Sequence, residues 1–115
     1  MVTPVGPYTP IVEAGPWLVC SGQIGLADGA LVAGGLEPEL RQAMANLAGL
    51  LQSKGSSLDA VAKTTVFLTD MGDYGDMNRI YVECFGDHRP ARSAVAVAAL
   101  PLGARVEIEA WAYRG

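Results

Sequence analysis

The fold turns on the last quarter of the chain, His88 to Gly115, which reads HRPARSAVAVAALPLGARVEIEAWAYRG. Two strand-like runs, Ala91 to Ala98 and Arg105 to Tyr113, are joined by Leu100-Pro101-Leu102-Gly103-Ala104. Alternate residues of a strand face opposite sides, so Val106, Ile108, Ala110 and Ala112 form one apolar row that reads as the core side. Glu107, Glu109, Trp111 and Tyr113 then share the other face. The first run opens with Arg92 and continues in small apolar residues, as a buried strand would. A guanidinium at the head of one such strand and two carboxylates inside the next are costly unless paired or used. That tension makes Arg92 and Glu107 the first candidates for chemistry. A structural ion pair between Arg92 and Glu107 or Glu109 is the plain alternative.

Upstream, Val2 to Pro10 holds three prolines and a glycine in nine residues, an extended, turn-rich lead-in that cannot be helix. Tyr8 within it is either a packing plug or a presented phenol. Ile11 to Glu13 and Trp17 to Ser21 flank Ala14-Gly15-Pro16 as two short strands and a turn. Ser21-Gly22-Gln23 is expected to break the second strand, and Ile24 to Gly35 to be loop with one short strand at Leu31-Val32. The glycines there match neither a P-loop nor GxGxxG, so no nucleotide site is assigned.

Glu37 to Lys54 is the clearest helix. Leu36, Leu40, Ala43, Met44, Leu47, Leu50 and Leu51 recur at spacings of three and four and give one apolar face. Glu37 and Glu39 in the first turn, Lys54 in the last and Gly55 as C′ residue suit the helix dipole and its end. Val61 to Leu68 is rich in β-branched residues and reads as a strand. Asp70 or Asp73 can cap a second helix, Tyr74 to Phe85. Its apolar stripe is Tyr74, Met77, Ile80, Tyr81, Cys84 and Phe85, and Asp76 and Arg79 can pair on its outer side. His88, the single histidine, has no cluster of metal-ligating neighbours in sequence, so no metal site is assigned.

These 115 residues read as a single domain, 1–115. Half are hydrophobic, 17% are charged and the formal net charge is −4, which offers nucleic acid no basic surface. Cys20 and Cys84 form no CxxC and read as buried free thiols in a reducing compartment. No run approaches the ~18 apolar residues of a membrane helix and nothing marks export, so the expectation is a soluble, cytoplasmic protein. The element order is strands, long helix, strand, helix, two strands. That is an α+β layer with both helices on one face of a mixed sheet. In a chain this apolar, the uncovered face predicts a homo-oligomer whose sheets pack together, with sites in clefts between subunits.

Several separated motifs now agree: Gly6-Pro7-Tyr8, Ser21-Gly22-Gln23, Lys63 to Met71, Asn78-Arg79-Ile80-Tyr81, Pro90-Ala91-Arg92-Ser93 and Val106 to Ala110. In order and spacing the chain resembles the Rid family, the YjgF-type reactive-intermediate deaminases, over essentially its full length. The resemblance implies a chorismate-mutase-like α+β fold and a homotrimer with a central barrel and sites between neighbouring subunits. It also implies hydrolysis of 2-imino acids and their enamine tautomers to 2-keto acids and ammonia, with no metal or organic cofactor. Arg92 matches the family's substrate-carboxylate arginine, a planar fork of donors whose charge is independent of pH. Glu107 matches the glutamate proposed to activate water and return a proton to the departing nitrogen. Tyr8 matches the site tyrosine. Ser21, Gly22, Asn78 and Ala94 would line the pocket and Pro101 would close its edge. By the same resemblance Glu109 is structural, and Ser21 could be a strand-end hydroxyl satisfying backbone.

The chain departs from many deaminase members in having Ala94 two residues after the arginine, where they carry cysteine, and Ala96 and Ala99, where they often carry charges. No thiol nucleophile is available there, and the water mechanism needs none. A keto-acid-binding regulator without turnover and a deaminase of a specialised pathway enamine are the alternatives. Some relatives have been described as ribonucleases or translation inhibitors; the acidic charge and single histidine argue against that role.

Overall fold

Alternation holds through the last strand. Val106, Ile108, Ala110 and Ala112 are fully buried, Glu107 and Glu109 half-buried, and Trp111 and Tyr113 exposed. The structure is a computed structural model and describes residues 4–115, so Val2 and Thr3 of the proline-rich lead-in lie outside the described residues. In chain order the strands are Ile11–Ala14 (β1), Trp17–Gln23 (β2), Leu26–Ala27 (β3), Ala30–Leu31 (β4), Val61–Leu68 (β5), Ala91–Ala96 (β6) and Val106–Tyr113 (β7). The helices are Leu36–Gln52 (α1) and Tyr74–Phe85 (α2). Five strands form one mixed sheet in the order β1-β2-β7-β5-β6, with only β5 and β6 parallel, and β3 and β4 form a separate small hairpin.

All seven apolar residues expected on α1 are buried, packed against the inner row of β7 and the buried Leu18 and Cys20 of β2. The helix ends two residues earlier than its composition suggests. Beyond Gln52, the N–H of Ser56 donates to the Leu51 carbonyl (2.9 Å) and that of Gly55 to the Gln52 carbonyl (3.0 Å). That pairing is a Schellman end, and Gly55 supplies its left-handed residue at φ 73°. Lys54 therefore lies outside the last turn, and its ammonium meets Glu13 at 3.2 Å. At the other end, Glu39 is buried and accepts the backbone N–H of Arg105 at 2.8 Å.

Four expectations need correction. β2 does not break at Ser21: it runs to Gln23 through a bulge, because between Cys20↔Ala110 and Gln23↔Ile108 two residues of β2 face one of β7. The loop after it holds two short strands, turned by Asp28 (φ 53°) and Gly29 (φ 80°), as an Asp-Gly type I′ hairpin requires. β6 stops at Ala96 and is an exposed-to-half-buried edge strand. Arg79 does not pair with Asp76: Glu37 of α1 reaches its guanidinium at 3.2 Å and Glu83 at 3.7 Å, tying the two helices together.

Asp70 caps a 3-10 turn, Met71–Asp73, by accepting the Gly72 N–H, whereas Asp73 precedes α2 and spends its carboxylate on Arg105 at 2.9 and 3.0 Å. Cys20 is buried, which pushes its thiol up to about 11, while Cys84 is only half-buried; both are free. His88 ties its loop to the sheet through a 2.7 Å hydrogen bond between Nε2 and the Val61 carbonyl.

Candidate active site

β5 separates β6 from β7 in the sheet, and this decides the geometry of the candidate residues. Arg92 pairs in register with the fully buried Thr64, and Ala94 with the fully buried Val66. Both therefore face the helices. Glu107 pairs with Phe67, one residue out of phase with that row, and faces the open side. Arg92 and Glu107 of one chain thus lie on opposite faces of one sheet, and the ion pair between Arg92 and either glutamate does not form.

On the open side lies a cleft of about 350 Å³. Tyr8, Ser21, Gly22, Pro101 and Glu107 line it together, and Val5, Ile24 and Glu109 complete the lining. The β2 bulge explains the grouping, because it brings Ser21 and Gly22 opposite Glu109. Gly22 leaves room for the carboxylate where it lies: a Cβ there would fall 2.0 Å from Glu107 Oε2 and displace it. Glu107 has no hydrogen-bond or ion-pair partner among the described residues. Burial pushes its carboxyl above the usual range, and the neighbouring Glu109 carboxylate adds to the shift. Ser21 donates its hydroxyl to the Thr9 carbonyl at 2.7 Å, and its N–H bonds the Pro10 carbonyl at 2.8 Å. It pins the lead-in segment that carries Tyr8 and keeps its oxygen as an acceptor. Tyr8 is presented to the cleft, 43% exposed, and is not a packing plug.

Arg92, Asn78 and Ala94 gather at a second place, between β6 and α2. Arg92 Nη1 donates to Asn78 Oδ1 at 2.7 Å and contacts Met77 Sδ at 3.7 Å, while Nη2 donates to the Tyr74 hydroxyl at 3.1 Å. The guanidinium carbon lies 5.0 Å from the Tyr81 ring centre and 5.5 Å from that of Tyr74. Behind it, Tyr81 and Thr64 share a buried 2.7 Å hydrogen bond. Tyr74 is therefore not part of the buried stripe. Its i,i+4 spacing to Asn78 was the signal that both could reach one group.

Each chain thus carries two separate groupings of candidate residues, a carboxylate cleft on the open face and a held arginine on the helix side. Among the described residues no cluster of three or more His, Cys, Asp or Glu side chains could hold a metal.

Fold and site together define a small α+β protein with an acid-bearing cleft on an uncovered sheet face. The chain belongs to the family described as Endoribonuclease L-PSP, the Rid or YjgF-type proteins, which it matches over residues 1–114. It is similar to a mouse protein named 2-iminobutanoate/2-iminopropanoate deaminase, 47% identical over 113 residues, 96% of this chain and 84% of the mouse protein. A RutC family protein of Pyrococcus horikoshii is 42% identical over 113 residues, 96% of this chain and 90% of the other. Among solved structures, RidA from an Antarctic Psychrobacter superposes with a TM-score of 0.93 at 36% identity, covering 96% of this chain and 91% of that one. Escherichia coli TdcF with bound serine gives 0.91 at 34% identity, covering 97% and 91%.

Proposed function

We propose that the chain is a hydrolase that deaminates small 2-imino acids and their enamine tautomers, in sites completed between the subunits of a homotrimer. The observation that carries this reading is the Glu107 carboxylate, half-buried, unpaired among the described residues and lodged in the open cleft beside Gly22. A carboxyl raised toward neutral pH is a better base than an ordinary glutamate and a competent acid once protonated. The names of the mouse, human, rat and bovine relatives, 42–47% identical over 113 residues, agree with that chemistry.

The substrate is a small carboxylate with a C=N at its α carbon. Protonated at nitrogen, that carbon is already electrophilic. Arg92 of one chain would grip the carboxylate with parallel N–H donors, and Glu107 of a neighbour would take a proton from water as its oxygen bonds to the α carbon. The same carboxyl returns the proton to nitrogen in the tetrahedral adduct and then takes the proton of the new hydroxyl. The electron pair of that O–H closes the C=O bond as the C–N bond breaks, so that ammonia and a 2-keto acid leave and the proton stays on the carboxyl. Tyr8 would orient the water or the imine, and Asn78, Ala94, Ser21, Gly22 and Pro101 would shape the space. Because Arg92 and Glu107 leave opposite faces of one sheet, this division of labour requires two chains; the number three rests on the family resemblance.

The test is ammonia and keto-acid release from 2-iminopropanoate and 2-iminobutanoate made in situ by an amino-acid oxidase, with semicarbazide reporting residual imine. Wild type should accelerate imine loss, and Arg92→Ala and Glu107→Gln should not. Imine loss at the uncatalysed rate with wild type would sink the proposal. A second reading, binding of a small acid without turnover, draws support from the serine held by E. coli TdcF. It would leave Glu107→Gln indistinguishable from wild type in imine loss and in binding of a 2-keto acid.

A further inference from the structure

Tyr74 opens α2 and is 39% exposed, yet its hydroxyl is turned back onto Arg92 at 3.1 Å. An exposed phenol can satisfy its hydroxyl with water, so the contact matters chiefly for the arginine. A guanidinium has five N–H donors. Asn78 and Met77 engage both hydrogens of Nη1, and Tyr74 engages one of Nη2. Among the described residues the Nε hydrogen and one hydrogen of Nη2 are left without acceptors, the number a carboxylate takes in a two-point grip. The Tyr74 ring also lies 5.5 Å from the guanidinium carbon. A long, flexible side chain is thus held from two sides before any ligand arrives, which removes an ordering cost from binding.

We propose that Tyr74 is a positioning residue that sets affinity for the substrate carboxylate by fixing the Arg92 guanidinium with its hydroxyl and ring. This rests on the reading of Arg92 as the carboxylate-binding group. Tyr74 does not touch the reacting carbon, so its effect falls on ground-state and transition-state binding alike.

The experiment compares wild type, Tyr74→Phe and Tyr74→Leu in turnover of 2-iminobutanoate and in binding of 2-oxobutanoate by calorimetry. Tyr74→Phe should raise KM and the 2-oxobutanoate Kd each about fivefold, with kcat within about twofold, and Tyr74→Leu should raise both further. In an Arg92→Ala background, titrated with 2-oxobutanoate to concentrations that define its weakened Kd, Tyr74→Phe should add no further loss of affinity. Equal unfolding midpoints for wild type and Tyr74→Phe exclude damage to the fold. A KM and Kd unchanged in Tyr74→Phe, or a loss that persists without Arg92, overturns the proposal while an active wild type leaves the deaminase reading standing. A wild type that turns over no imine yet binds 2-oxobutanoate more tightly than Tyr74→Phe upholds the role of Tyr74 and removes the deaminase reading.

Discussion

The Glu107 carboxylate lies directly over the Cα of Gly22, where even a methyl group would fall 2.0 Å from its Oε2. The clash is with the end of a side chain that borders an open cleft, so the carboxylate can swing away at little cost to the fold. Gly22→Ala should therefore lower kcat/KM for imine hydrolysis about tenfold or more, with little change in thermal midpoint. Parallel steady-state kinetics and calorimetry check this.

Glu107→Gln removes the acid-base group and should lower kcat by about a hundred- to ten-thousandfold. Its effect on stability has the opposite sign. Folding raises the Glu107 pKa above its ordinary 4.5, so the ionised carboxylate is held less well in the folded chain than in the unfolded one. Stability associated with this group is present below the ordinary value and is lost as pH rises through the folded value. Glu107→Gln should thus unfold at a higher temperature than wild type at pH 7, and the difference should vanish on acidification below about 4.5.

The pH profile distinguishes the two causes of that shift. Burial is the larger and Glu109 the smaller. Lys63, on the same face of β5, gives its ammonium to Ser93 Oγ at 3.0 Å. Glu109→Gln should move the acidic limb of kcat/KM toward lower pH without bringing it down to an ordinary glutamate. A limb that does not move would show that Glu109 has no electrostatic hold on the base.

Complementation tests the opposite-face geometry directly. Arg92→Ala and Glu107→Gln are each expected to be inactive alone. Co-expressed and co-assembled, they should regain activity at about a quarter of the sites in randomly mixed trimers, since one chain supplies the intact arginine and its neighbour the intact glutamate. Sites built within one chain would regain none.

Behind the arginine, Thr64→Val should cost about 1–3 kcal/mol by urea unfolding, because it strands the Tyr81 hydroxyl against a fully buried position. Adding Tyr81→Phe should cost less than the sum of the two single changes.

What could be read from the sequence was whatever depends on local periodicity. The α1 stripe and the alternation of β7 are burial patterns written in consecutive residues, and both hold without exception. Strand order is not local. β6 and β7 follow each other in the chain, but β5 lies between them, so the alternative of a structural pair between Arg92 and the glutamates gives way to a separation across the sheet. Tyr74 leaves the apolar stripe because a tyrosine fits a buried stripe and an exposed polar contact equally well. Arg79 found Glu37 on another helix in place of Asp76 on its own, a choice no i,i+3 rule can foresee. The hairpin at Asp28-Gly29 does carry a local signature, an Asp-Gly pair, set in a run of glycines that reads equally as loop. Of the eight candidate site residues, the five that line the open cleft do so because the bulge at Ser21-Gly22 and the alternation of β7 converge there.

Both tryptophans of the chain stand on the uncovered face. Trp17 packs edge-on against Tyr113, its register partner on β7, at 5.0 Å and diagonally against Trp111 at 6.0 Å. The intrinsic fluorescence of the protein is therefore an optical gauge of that face. A blue shift as protein concentration rises would record water leaving it, with no label attached.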